Sequence, residues 1–301
     1  MRSTAFCLLL LPLLPACQQN PTEKTTQQTL ATVADTTGAP ALAKPTLAQR
    51  LSPVLSGHWV SVDYLQEVAR TRSPQAAFDH TPPAPASLEI GSFASQKDRV
   101  EIGASYGLHE GGNLTILLQA GAQPGSLKVR EPGGEAGISN ELAYQLTSTD
   151  TTLLYLTRKS KTKQLVSKIA YRRTGMPGKS ANLEAGVEFG VNNLLLAGKY
   201  MGTDSTGQPV NVQFFTDGRL TGLPFKKYTI QTDFSGPNPG DEVIFDVYTK
   251  QQREFAAVYG RDTVRLYTIR SSTGVSGGEV DPANIFTRGR LRYQLVRSKQ
   301  P

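Results

Sequence analysis

Apolar residues recur at every second position, in short runs, along nearly the whole chain after residue 57. The first half shows Leu88 and Ile90, Val100 and Ile102, Leu114, Ile116 and Leu118, Leu127 and Val129, Leu142, Tyr144 and Leu146, Leu154 and Leu156, then Ile169 and Tyr171. Successive side chains of a strand point to opposite faces, so a period of two spells half-buried β-strands and excludes amphipathic helices over these stretches. Turn sequences separate the runs, among them Glu110-Gly111-Gly112-Asn113, Gln123-Pro124-Gly125 and Ser148-Thr149-Asp150. The pattern resumes with Val210, Val212 and Phe214, Tyr228 and Ile230, Val243, Phe245 and Val247, Phe255, Ala257 and Tyr259, Leu266, and finally Leu291, Tyr293 and Leu295. The 28 glycines and 19 prolines supply the turns that so many short strands need. The expected fold is all-β, with two consecutive antiparallel β-barrels of about eight strands each.

The halves share landmarks, which points to an internal repeat. Leu55-Ser56-Gly57-His58-Trp59 corresponds to Leu196-Ala197-Gly198-Lys199-Tyr200. Asp150, followed by Leu154-Tyr155-Leu156, corresponds to Asp262, followed by Leu266-Tyr267-Thr268, and the closing strands match as Ile169-Ala170-Tyr171 against Leu291-Arg292-Tyr293. The expected domains are barrel 1 over residues 51–175, a linker over 176–193 that contains Pro177 and Gly178, and barrel 2 over 194–301.

Ahead of the strands, Met1-Arg2 and the eleven-residue apolar stretch 5–15 have the layout of a secretion signal, too short to span a bilayer. Leu14-Pro15-Ala16-Cys17 resembles the bacterial lipobox, with proline where that motif prefers a small or β-branched residue. The resemblance implies a signal peptide over 1–16, acylation of Cys17, palmitate among the acyl chains, and membrane attachment through them. Once Cys7 leaves with the signal, Cys17 has no thiol to pair with. Gln18, Gln19 and Asn20 lack the aspartate that retains such lipoproteins at the inner membrane, so the resemblance places the protein on the outer membrane of a bacterial envelope, in the periplasm. Residues 18–50 contain eight threonines and no aromatic residue, the composition of a flexible tether with a reach of about 30 Å.

At Gly57-His58-Trp59 the sequence resembles the Gly-x-Trp first strand of lipocalins and of lipocalin-like domains in bacterial lipoproteins. The resemblance implies that Trp59 closes a barrel base beneath Arg172 or Arg173 of the last strand, a cation over an aromatic face. It implies the same for Gly198 and Tyr200 beneath Arg292 or Arg297. The family's Thr-Asp-Tyr motif appears as Thr149-Asp150-Thr151, without its tyrosine, and the second half keeps Asp262 alone. After the first strand, residues 63–70 read as a short amphipathic helix stopped by Ser73-Pro74, with a proline-rich loop beyond it. In lipocalins this is the place of the loop over the barrel mouth. Tyr64, Arg70, Arg72 and Phe78 then belong either to a lid over a ligand or to a plug that fills the barrel end.

Recognisable chemistry is sparse. The formal charge is +7, yet no run resembles a basic arm, and Lys159 to Lys163 are interrupted by Ser160 and Thr162, so no nucleic-acid partner is expected. Gly274-Val275-Ser276-Gly277-Gly278 matches a nucleophile elbow, but Pro282 follows where a helix is required, and no histidine follows it in the chain. His58, His80 and His109 have no metal-ligand spacing, and Asp79-His80 is the one pair worth testing. No catalytic residue, metal or cofactor is expected, and the protein is read as a non-enzyme. The leading expectation is a small lipophilic ligand or an envelope component bound through the barrels, with Tyr144, Tyr155, Tyr228, Arg265 and Tyr267 as interior or rim contributors. The alternative is an envelope interaction module with filled barrels and no ligand, docking another envelope protein.

Overall fold

The structure, a computed structural model, describes residues 44–147, 150–175, 183–235, 240–270 and 287–298. The signal, Cys17, the Gly274–Gly278 motif and residues 176–182 of the expected linker lie outside the described residues. A helix α1 (Leu47–Leu55) precedes the first strand. It begins inside the stretch expected as tether because Thr46 and Gln49 form a capping box, each side chain bonded to the other's backbone N–H. Its apolar face, Ala48, Leu51 and Leu55, is buried in the core of the first barrel.

That barrel is closed. Strands β1 (Gly57–Ser61), β2 (Ser87–Ile90), β3 (Arg99–Tyr106), β4 (Glu110–Ala120), β5 (Leu127–Arg130), β6 (Ile138–Leu146), β7 (Thr151–Lys159) and β8 (Leu165–Gly175) pair in sequence order. All pairs are antiparallel, and β8 returns to β1, with Val60 opposite Arg172 and Trp59 opposite Arg173. Along β4 the interior takes Leu114 and Ile116, as the alternation predicts. On β7 the interior residues are Leu153 and Tyr155, while Leu154 and Leu156 form a small separate cluster with Ala143 on the opposite face. Four consecutive apolar residues carry no period, so the sequence cannot say which pair points inward.

Between β1 and β2 the chain forms α2 (Val62–Thr71) and α3 (Pro74–Phe78). Arg72 takes a left-handed conformation, φ 57°, and ends α2, and Ser73 then caps α3 by accepting from the Ala76 N–H. Ser73-Pro74 thus stops one helix and starts another, because proline suits the first turn as well as the end of a helix. A further helix, α4 (Ala185–Leu195), occupies the end of the expected linker. Its glycines do not mark a loop. A Cβ on Gly186 would stand 2.7 Å from Cβ of His58, and one on Gly190 would stand 3.0 Å from Thr174 Cγ2 and 3.1 Å from Leu65 Cδ2. They permit α4 to lie directly on the first barrel, and this cover buries all five residues of β1 on both faces.

The second barrel comprises β9 (Gly198–Asp204), β10 (Pro209–Phe214), β11 (Leu220–Thr221), β12 (Tyr228–Ile230), β13 (Glu242–Phe245), β14 (Arg253–Tyr259), β15 (Thr263–Arg270) and β16 (Thr287–Arg297). Its eight-stranded sheet runs β11-β10-β9-β16-β15-β14-β13-β12. The edge strands β11 and β12 are drawn together by the Tyr228 N–H donating to Gly218 O at 2.7 Å and the Leu220 N–H donating to Lys226 O at 3.1 Å, which nearly closes the barrel. Asp150 and Asp262 each precede the seventh strand of their barrel, and Tyr171 and Tyr293 lie on the eighth, so these landmarks fall on equivalent strands.

The helices between β1 and β2 do not cover the first barrel alone. Tyr64, Leu65, Val68 and Ala77 belong to one continuous buried cluster with Val187, Val191 and Leu195 of α4 and with the interior of the second barrel. Arg72 donates to the carbonyls of Leu194, Leu195 and Gly260, all at the base of that barrel. The Gln75 N–H donates to Asp241 Oδ1 at 3.0 Å. Neither the lid nor the plug expected for the first barrel describes this arrangement, since the segment serves as a wall shared with the second.

Candidate functional site

The base of each barrel repeats one device. Gly57 and Gly198 have φ of 147° and 145°, values that favour glycine, and each opens its strand beside a closing arginine. Trp59 is fully buried, and its Nε1–H donates to Leu55 O at 2.8 Å. The guanidinium of Arg173 lies 4.7 Å from the Trp59 ring centroid and donates to Val54 O, tying α1 to the last strand. In the second barrel Arg297 lies 4.9 Å from the Tyr200 ring and donates to Ala197 O at 2.6 Å. Of the residues offered by the resemblance, Arg173 and Arg297 hold these places, while Arg172 and Arg292 are exposed on the outer face. A cation held over a ring and tied to a carbonyl is a clamp that fixes the end of the barrel.

Rings pack against one another inside the second barrel. Tyr200, Phe214 and Tyr228 meet edge to face at centroid distances of 5.7 and 5.2 Å. Phe225 stacks on Phe245 at 4.6 Å, and Phe245 meets Phe255 at 5.6 Å. Tyr228 donates its hydroxyl to Phe215 O at 2.6 Å, and its burial pushes the phenol well above its ordinary range.

The first barrel is different where β3, β6 and β7 meet the loop after β5. There Glu131 accepts from Tyr106 Oη at 2.6 Å, from Asn140 Nδ2 at 3.0 Å and from Tyr155 Oη at 3.4 Å. Burial, reinforced by the Glu131 carboxylate, raises both phenols, so they remain protonated donors. Glu131 also lines a cleft of about 610 Å³ with Lys128, Arg130, Ser139 and Asn140. A second carboxylate, Glu141, is 4 % exposed and holds the turn after β4 through the Ala122 N–H at 2.7 Å and Ser126 Oγ at 2.8 Å. Burial opposes its ionisation, but these hydrogen bonds and the Arg158 charge together outweigh that cost and lower its pKa.

The sequence-selected residues do not converge. Tyr155 and Tyr228 are interior, one in each barrel, and Tyr144 is half-buried beside the first core. Arg265 is exposed and Tyr267 half-buried, whereas Val264 and Leu266 between and beside them are the buried residues of β15. Tyr64 is fully buried at the shared wall, Arg70 pairs with Glu67 on the surface, and Phe78 stands edge to face with Phe234 at 5.7 Å. Within the Asp79-His80 pair, His80 Nε2 lies 3.6 Å from Glu67. Tyr106, Glu131 and Asn140 were not found from the sequence, and Arg72 was singled out for a lid or plug and not for its bonds to the second barrel. The Gly107 turn after Tyr106 was a signal for a residue at a barrel rim, but contacts such as Arg72 to Gly260 span 188 positions and leave no local pattern. Comparison of the chain with known protein families, with curated proteins and with solved structures finds no match.

Proposed function

We propose that this protein is a lipid-anchored bacterial envelope module that acts through its outer surfaces, with two lipocalin-like barrels as a rigid support and no cargo in the second. The observation that carries this reading is the stack of buried rings inside the second barrel, which occupies the space a lipophilic ligand needs. The lipocalin likeness is supported by the glycine, ring and arginine at each base. The lipoprotein reading rests on Leu14-Pro15-Ala16-Cys17 behind an apolar stretch, and the outer-membrane location on the residues after Cys17. The reading needs no catalytic group.

Two experiments test it. Cys17→Ser should move the protein from the membrane fraction to the soluble periplasmic fraction, and a mature N-terminus other than residue 17 would defeat the anchor. A fluorescent fatty acid titrated into the protein should show no saturable signal that Phe245→Ala alters. A saturable signal lost on adding bulk at the second barrel's interior would instead establish cargo there. Lipophile binding in the first barrel is the second reading, favoured by the Glu131 cluster, and Tyr155→Phe should weaken that binding if it occurs.

A further inference from the structure

The adjacent arginines near the end of β8 point in opposite directions. Arg173 turns inward over Trp59, so the alternation of the strand turns Arg172 outward, where it is exposed. Among the described residues Arg172 forms no ion pair. It faces a cleft of about 570 Å³ between α2 and α4, within the size range of small-ligand sites. Leu65 and Ala69 of α2 and Phe189 and Leu194 of α4 provide apolar walls. Phe189 is 36 % exposed, a large apolar residue on the open face of α4 that also carries the exposed Asn193. Gly190 brings α4 down against Thr174, which gives the cleft its depth.

Asp150 lines the same cleft. Its Oδ1 accepts from the Thr151 N–H at 2.7 Å, and no cation pairs with it among the described residues. Thr152 is the register partner of Arg172, so Asp150 continues that outward face two positions along. Diagonal neighbours on adjacent strands stand roughly 7–8 Å apart. The cleft therefore offers one unpaired cation and one unpaired anion, close together, between apolar walls at the junction of two domains.

We propose that this cleft binds a short apolar peptide with both termini free. The peptide carboxylate pairs with Arg172, its ammonium pairs with Asp150, and its side chains cover Phe189, Leu65, Ala69 and Leu194. An extended chain advances roughly 3.5 Å per residue, so two or three residues span the charges. A fatty acid satisfies Arg172 but lays its tail against Asp150, and a phosphate is repelled by that same carboxylate. A bound peptide touches the helix that seals the second barrel and the helix that leads into it, and so couples ligand to both barrels. The proposal does not depend on the lipid anchor or on what fills the barrels.

The test is calorimetric titration of the full chain with trileucine. Saturable one-to-one binding is expected, with N-acetyl-trileucine amide and dodecanoate each at least tenfold weaker. Arg172→Gln and Asp150→Asn should each cost about two- to fivefold in affinity, in line with single exposed charge contacts. Ala69→Trp, which fills the cleft from an exposed position, should abolish binding. Absence of saturable trileucine binding overturns the proposal, as does equal binding of the three probes or binding that survives Ala69→Trp.

Discussion

In the first barrel Arg173 covers Trp59 at 4.7 Å, and in the second Arg297 covers Tyr200 at 4.9 Å, each arginine also bonded to a carbonyl just before the first strand. Away from the base the likeness stops. The first barrel closes by β1–β8 pairing and keeps a hydrogen-bonded carboxylate among its phenols, whereas the second leaves a loosely joined edge and packs rings against rings. The second also takes part of its wall from the first, through α2 and α3. Residues that hold a barrel shut are repeated, then, while those that fill it have diverged. Sharing a wall removes the need for the second barrel to be stable alone.

The largest effect that bears on this comparison is expected from Trp59→Ala, at about 3–5 kcal/mol for a buried aromatic. Because Val60 of β1 and the helices that follow it pack into the second barrel's core, calorimetry should show one transition moved to lower temperature. Two transitions, with only the first displaced, would mean that the barrels melt independently. Arg72→Ala should cost about 2–3 kcal/mol, since three carbonyls lose a charged donor, and should divide the single transition into two. If the melt stays single, the apolar contacts of Tyr64 and Val68 suffice to join the halves.

Smaller changes separate the interiors. Tyr106→Phe removes one hydrogen bond to Glu131 and should cost about 1.5 kcal/mol, lowering hydrogen-exchange protection in β3 and β7 while leaving β13 and β14 unaffected. The smallest effect expected is on pH. The folded-state pKa of Glu141 is lowered, so its contribution is fully present above the ordinary carboxylate range and is lost as pH falls through the lowered value. Exchange at the Ala122 and Gln123 amides should accelerate in that acid window, and Glu141→Gln should remove the dependence.

The strands were legible because each needs only its own alternation, and the two bases because Gly57, Trp59, Gly198 and Tyr200 sit at fixed places on them. Tyr155 and Tyr267 look equivalent in sequence, five residues after Asp150 and Asp262, yet one is interior and the other is half-buried beside Leu266. A one-residue offset turns a strand over, and sequence similarity cannot detect it where apolar residues are consecutive. Helix α4 was missed because Pro177 and Gly178 set the whole stretch down as a linker, and only the structure shows Gly186 and Gly190 seated on His58 and Thr174. The partners of α2 were illegible for a simpler reason, since an amphipathic face announces burial without naming what covers it.

The wall shared through α2 and α3 also has a consequence in time. A chain is made from its N-terminus, so every strand of the first barrel exists before β9 has been translated. During that interval Tyr64, Leu65 and Val68 form a finished adhesive surface whose intended cover has yet to be synthesised. A nascent chain stalled near residue 180, or a fragment cut there, would present this surface to its neighbours. Aggregation would then be the signature of interrupted synthesis, even though the first barrel's own hydrogen-bonded ring is complete.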